Sequence, residues 1–219
     1  EKGVQLLMTV DNGVSSFEGI AFLKEKGIRV LVTDHHLPPE TLPPADAIVN
    51  PNLSQCHFPS KSLAGVGVAF YLMLAVRAKF RELGIFTAET QPNFTDLLDL
   101  VALGTIADVV PLDQNNRILA YQGLMRIRAR HCRLGIIALA EVANRNVEQF
   151  TSSDLGFCIG PRLNAAGRLD NMSIGVELLL ANEMSKAREL ALDLDELNQT
   201  RKEIEAGMKL EAIKICQNL

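Results

Sequence analysis

The residues best suited to chemistry stand together at Asp34-His35-His36. One carboxylate and two imidazoles can bind a metal, move a proton or contact a phosphate. They follow Ile28 to Thr33, a short β-branched apolar run that reads as a strand buried on both faces. Leu37-Pro38-Pro39 then stops strand or helix alike. Open parallel sheets carry their ligand chemistry at the carboxyl ends of strands. Adjacent residues of an extended chain point to opposite sides, so His35 and His36 are expected to divide the work, one towards a metal and one towards a substrate. The competing reading is a polar turn with two solvated histidines.

The elements that would position these residues lie just upstream. Val4 to Val10 is a second apolar run and ends on Asp11-Asn12-Gly13. Between the runs, Ser15 to Gly27 reads as a helix, with Ser15 or Ser16 as N-cap, Phe17, Ile20, Ala21 and Leu23 inward, and Gly27 as C-cap. Strand, helix, strand makes a right-handed βαβ unit with both strand ends on one sheet edge. Neighbouring strands lie ~5 Å apart, so Asp11 and the histidines can share one ion. Such a donor set suits Mn²⁺, Zn²⁺ or Fe²⁺ better than Ca²⁺. Asp108 ends an apolar helix read over Phe94 to Ala107. By residue type it is a metal ligand, a cap or an arginine partner.

Downstream, the charge balance changes. From Arg117 to Arg168 there are eight arginines, no lysine and three acids (Glu141, Glu148, Asp154), a local +5 in a chain of net charge −4. Arginine without lysine favours forked phosphate contacts, and the asymmetry is an electrostatic footprint for a polyanion. Within Gly160-Pro-Arg-Leu-Asn-Ala-Ala-Gly-Arg168, small residues permit close backbone approach, while Arg162, Asn164 and Arg168 supply directed donors. The bland alternatives are a solvated arginine face and a turn whose arginines pair with Asp154 or Asp170.

The remaining elements read as a short third strand at Ala47 to Asn50, a polar loop at Pro51 to Pro59, and helices at Ala64 to Leu83, Asn115 to Ala129, Gly135 to Val142 and Ser153 to Ile159. Gly65-Val-Gly67 lacks a nucleotide fingerprint and is assigned to close helix packing. Ser173 is expected to cap Ile174 to Leu180. Glu183 to about Gln217 reads as one long helix with Leu190, Leu194, Leu197, Ile204, Met208 and Ile215 as its stripe.

Bulk composition narrows the classes. With 219 residues and 47% apolar content the chain can fill one large core, and 22% charge argues against disorder. There is no Trp and only two Tyr, so base stacking cannot dominate recognition here. Cys56, Cys132, Cys158 and Cys216 form no C-x-x-C pair, which disfavours a cysteine zinc site and suggests reduced thiols in the cytoplasm. No signal peptide or run of membrane length is present. The chain opens on Glu-Lys-Gly and closes inside a helical pattern, which suggests a piece of a longer protein.

Several of these motifs fall in a characteristic order: Asp11-Asn-Gly, Asp34-His-His, Gly104-Thr-Ile-Ala-Asp108-Val-Val-Pro-Leu and Gly160 to Arg168. The ordered set resembles the DHH phosphoesterase family. Lys61-Ser-Leu-Ala-Gly-Val-Gly-Val-Ala-Phe70 and Leu197-Asn-Gln-Thr-Arg-Lys-Glu-Ile204 narrow the resemblance to its members that degrade single-stranded DNA from the 5′ end in repair and recombination. It implies an α/β fold: a parallel sheet flanked by helices over residues 1–182, truncated at its start, then a connector helix over 183–219 towards absent DHHA1 and OB-type domains. It implies two Mn²⁺ or Mg²⁺ ions, with Asp11 bridging them and His35 and Asp108 ligating one. His36 would touch the scissile phosphate or the ion, Asp34 would orient an imidazole, and Arg162, Asn164 and Arg168 would hold the DNA backbone. Single-stranded DNA is the implied partner, with other repair proteins possible, no membrane, and a monomeric full-length form. No Asp-x-Asp, the family's earlier motif, lies upstream of Asp11, so this piece alone is expected to be inactive, with an unpaired sheet edge. The rivals are a small-substrate DHH enzyme, either an oligonucleotide phosphodiesterase or a pyrophosphatase, and a non-catalytic nucleic-acid-binding module.

Overall fold

A computed structural model describes residues 3–169 and 171–217. Asp170, one possible arginine partner, falls outside them. The chain divides into two compact units, 1–123 and 124–219, with the division within α4 (Gln114–Arg128).

The first unit holds a parallel sheet in the order β1 (Leu6–Val10), β2 (Arg29–Thr33), β3 (Ala47–Val49). Val30 and Val32 are fully buried and pack against Ile20 of α1 (Phe17–Glu25), with Leu7, Leu23 and Ile48 around them. Ser16 precedes α1 but its hydroxyl caps nothing. Gly27 adopts φ 74°, where a side chain would be strained, and so turns the helix sharply into β2. β1 is an edge, and Leu6, Met8 and Val10 on one of its faces are exposed. A second core joins Leu63, Val68 and Phe70 of the α2 region (Gly65–Glu82) to Val101 of α3 (Leu98–Ala107) and Leu119. The turn at Phe94–Leu97 is 3₁₀, so the helix predicted from residue 94 becomes regular only at Leu98.

The second unit is helical: α5 (Leu134–Val142), α6 (Ser152–Asp154), α7 (Gly160–Leu169), α8 (Ser173–Leu180) and α9 (Met184–Gln217). α5 is buried from Gly135 to Ala140 and packs against α9. The first half of α9 therefore belongs to this core, through Ala187, Leu190, Ala191 and Leu194. Its second half leaves Ile204, Met208, Leu210, Ile213 and Ile215 exposed. Ser173 is the first residue of α8 and not its cap; Met172 holds the cap position, and the Ser173 amide donates to Asn171 Oδ1 at 3.0 Å.

The Gly160 to Arg168 stretch departs from its loop-like reading and is a helix. Pro161 follows a π turn at Leu155–Ile159, where the regular bonding pattern is already interrupted, so its missing N–H does no further damage.

Candidate metal centre

Register sets the level of the site. Val10 pairs with Thr33 and Thr33 with Val49, so the residues that follow all leave the same edge of the sheet. The Asp11 amide donates to Thr33 O at 3.0 Å, one step beyond the ladder. Asp11 then turns into the left-handed region, φ 65°, which a short polar side chain tolerates. Its carboxylate lies over Gly65 at the start of α2, and a Cβ there would overlap it. The Gly65-Val-Gly67 glycines thus act separately: Gly65 makes room for Asp11, while Gly67 packs closely on Leu63.

Asp34 is 1% exposed and binds nearly everything near it. Oδ2 accepts the Val14 amide at 2.8 Å, while Oδ1 accepts the amides of His35 (2.7 Å) and His36 (3.1 Å) and faces His36 Nδ1 at 2.7 Å. Burial pushes this carboxyl up, but the donors of Val14 and His36, joined by the His35 amide, outweigh it and hold it below the usual range. The same contact raises His36 above an ordinary imidazole. With Nδ1 committed to Asp34 and 62% of the side chain exposed, His36 presents its other nitrogen outward.

The His35 ring does not turn to the opposite side: its centroid lies 4.5 Å from that of His36, tilted by 57°, and its side chain is only 12% exposed. Its Nε2 lies 3.0 Å from Asp11 Oδ1 and 3.4 Å from Asp108 Oδ2. Neither contact has hydrogen-bond direction, so this buried nitrogen has no hydrogen-bond partner. Asp108 caps the end of α3, with its amide on Gly104 O at 2.9 Å. Val109 follows at φ 58°, an unusual state for a β-branched residue. Burial raises the Asp11 carboxyl, and the charges of Asp108 and Asp34 raise it further against the pull of His35 and His36.

Asp11, His35 and His36 offer ligand atoms within 4.8 Å of one another, and Asp108 joins through His35. A ring nitrogen that lies between two carboxylates and meets neither in hydrogen-bond direction is a poor hydrogen-bonding arrangement and a favourable one around a cation. An imidazole with carboxylates fits Mn²⁺ or a similar divalent ion, and Gly65 supplies the clearance.

The arginine-rich residues are placed in the other unit. Arg162 is half-buried: Nε and a terminal nitrogen both lie 2.8 Å from Asp195 Oδ1, and NH1 donates to Cys158 O at 2.8 Å. Asn164 and Arg168, one helical turn apart, are exposed on the same face of α7. Two further groups escaped the sequence reading: Gly65, assigned only to packing, and the pair Asn50 and Asn52 after β3, whose amides bond the carbonyls of His36 and His35. The signal for the two asparagines was the same one that marked Asp11 and Asp34, namely polar residues at the carboxyl end of a strand.

Residues 2–105 match the DHH family, N-terminal domain. Over 219 residues the chain is 98% identical to a single-stranded-DNA-specific exonuclease RecJ of Haemophilus influenzae, and over 217 residues 39% identical to that of Bacillus subtilis. It covers 38% of the first relative's length and 26% of the second's. A crystal structure of exonuclease RecJ bound to manganese superposes with TM-score 0.78 at 37% identity, over 93% of this chain and 49% of that one. The Thermus thermophilus RecJ complex with Mg²⁺ gives TM-score 0.68 at 34% identity, over 93% of this chain and 27% of that one.

Proposed function

We propose, from the match of residues 2–105 to the DHH family N-terminal domain, that the chain is the metal-binding part of a nuclease that hydrolyses single-stranded DNA from its 5′ end. One observation carries this reading: a buried imidazole nitrogen without a hydrogen bond, 3.0 Å and 3.4 Å from two carboxylates. The relatives named as single-stranded-DNA-specific exonucleases, with Mn²⁺ or Mg²⁺ in solved structures, supply the substrate and metal class. Repair and recombination in the cytoplasm are the processes and place such an activity serves.

In this reading Asp11, His35 Nε2 and Asp108 hold a Mn²⁺ or Mg²⁺ ion. Bound there, the ion supplies positive charge for a phosphoryl oxygen and lowers the pKa of a water. Asp34 keeps His36 oriented and raises its basicity, so that its outward nitrogen can meet a scissile phosphate or the ion. Desolvation and the charges of Asp108 and Asp34 disfavour Asp11 as an anion, a cost that a cation would offset. Asn164 and Arg168 are the side chains of α7 disposed to meet a DNA backbone. Arg162 already shares its guanidinium with Asp195.

Electron paramagnetic resonance of Mn²⁺ titrated into the chain tests the reading. His35→Ala and Asp11→Asn should each weaken binding by roughly 100-fold or more, the loss expected when one of few ligands is removed. Wild-type affinity in both variants would overturn it. In the full-length protein the same variants should abolish release of nucleotides from 5′-labelled single strands.

A further inference from the structure

The backbone donors of the Asp34–His36 turn are gathered by one side chain, Asp34, which takes the amides of His35 and His36. The acceptors are gathered from the opposite direction. Asn52 Nδ2 donates to His35 O at 2.6 Å, and Asn50 Nδ2 donates to His36 O at 2.9 Å. The two asparagines are tied to each other, with the Asn52 amide on Asn50 Oδ1 at 2.8 Å. Asn50 is 2% exposed. Further along the loop, Lys61 Nζ donates to Pro51 O at 2.7 Å and Cys56 O at 2.5 Å.

The other side of this loop borders an apolar cavity of about 370 Å³, to which Pro51, Leu53 and Cys56 contribute wall. A cavity restrains a loop less than packed side chains do. Pro51 and Leu53 are themselves buried, so polar ties and this packing together set where the loop lies.

We propose that Asn50 and Asn52 are positioning residues for the two histidines, acting through the carbonyls of His36 and His35, with Lys61 holding the loop that carries them. The residue type follows from the bonding. Asn50 must donate and accept at once, which a carboxamide does through two separate atoms, Nδ2 and Oδ1. Gln would add a methylene in a buried place. Asp would keep the volume but set a carboxylate against a carbonyl oxygen. The purpose assigned to this positioning, holding His35 for a cation, rests on the metal reading above. The restraint on the turn does not.

The test uses Asn52→Ala and the isosteric Asn52→Asp, with Ser54→Ala as a control on the same loop. Amide exchange is read at His35 and His36 and compared with Val30 and Val32 of β2 in the same protein. Both Asn52 variants should speed exchange at the two histidine amides by about tenfold or more while β2 and the control stay at wild-type rates, as a local opening predicts. Equal acceleration at β2, or none at the turn, would overturn the positioning role. Mn²⁺ affinity should fall by roughly tenfold, the usual scale for a residue behind a ligand. Unchanged affinity with a loosened turn would overturn the link to the cation. If the wild-type chain binds no Mn²⁺, the metal reading fails, and the exchange result still decides whether the asparagines hold the turn.

Discussion

In the Asp34–His36 turn, neighbouring groups occupy the backbone and His36 Nδ1, and leave His35 Nε2 and the outer nitrogen of His36 available. Asp34 collects the amides, Asn50 and Asn52 collect the carbonyls, and His35 Nε2 has no hydrogen bond. In α7 the backbone is satisfied by its own helix, and the most promising charge is the group that is occupied. Arg162 is held by Asp195 and Cys158 O. The same holds nearby: Arg128 donates to Phe150 O at 2.6 Å, and Arg145 lies 3.7 Å from Asp154. A cluster of reactive residue types thus marks a site only where the fold leaves it a spare valence. The local +5 is real as arithmetic, but part of it holds the helices together.

The largest effect should come from breaking the turn. Asp34→Ala leaves the amides of Val14, His35 and His36 without their buried acceptor, since Asp34 is 1% exposed. A loss of about 3 kcal/mol is expected from hydrogen bonds to a buried charge, read as the denaturant midpoint of the sheet unit. A variant as stable as wild type would mean that the turn is held by something other than its acid, and the contrast with α7 would fail.

Arg162 should come next. Arg162→Met strands Asp195, which is 23% exposed, at a cost of about 2 kcal/mol, below the range for fully buried pairs. Adding Asp195→Leu should recover most of that loss, because the penalty lies in the charge left alone. A thermal melt of the four proteins in a double-mutant cycle measures this. If Arg162→Met instead leaves stability unchanged and weakens single-strand binding in the full-length protein, Arg162 belongs with the DNA contacts and the division drawn here is misplaced.

How far the sequence carried these conclusions depended on whether the relevant contact was local. The βαβ unit was legible because strand runs end directly on Asp11 and Asp34, and because the crossover leaves both ends on one edge. Asp108 was legible from the residues only as the end of an apolar helix, and its approach to His35, 3.4 Å in the structure, was expected through the family resemblance. The helix at Gly160 to Leu169 was hidden by glycine and proline, which read as breakers unless the π turn before Pro161 is known. Asp195 as the partner of Arg162 lies 33 residues away, on a helix assigned to another role. Gly65 looked like packing because nothing in the chain says that a carboxylate from residue 11 must lie over it. The early half of α9 was read as a connector because its stripe is visible in sequence while the α5 surface that covers it is not.

Arg168 sharpens the comparison from the opposite side. It shares an exposed helix face with Asn164. Arg168→Ala should change stability by less than about 0.5 kcal/mol, as for other exposed positions. In the full-length protein it should weaken single-strand binding and reduce the slope of affinity against salt by roughly one phosphate contact. Affinity and slope both at wild-type values would remove α7 from the DNA surface.

The smallest effect concerns acid. Asp34 and Glu141 are both held below the usual carboxylate range, but for different reasons: Asp34 despite its burial by the donors of Val14, His36 and His35, Glu141 by the Arg188 guanidinium at 2.7 Å. A carboxyl lowered in the folded state stabilises it above the ordinary carboxylate pKa, and that contribution disappears as pH falls through the lowered value. Both units should therefore lose stability on that acid limb. Glu141 is 40% exposed, so its share is screened by solvent and salt, whereas Asp34 is screened by neither. Thermal melts across the acid range, with chelator present and at low and high salt, separate the two. Glu141→Gln should slightly flatten the limb of the helical unit at low salt and change nothing at high salt. Asp34→Asn should flatten the limb of the sheet unit at both. A salt-sensitive acid limb in the sheet unit would show that Asp34 is solvated in solution, and the turn would then resemble the surface pairs of the helical unit.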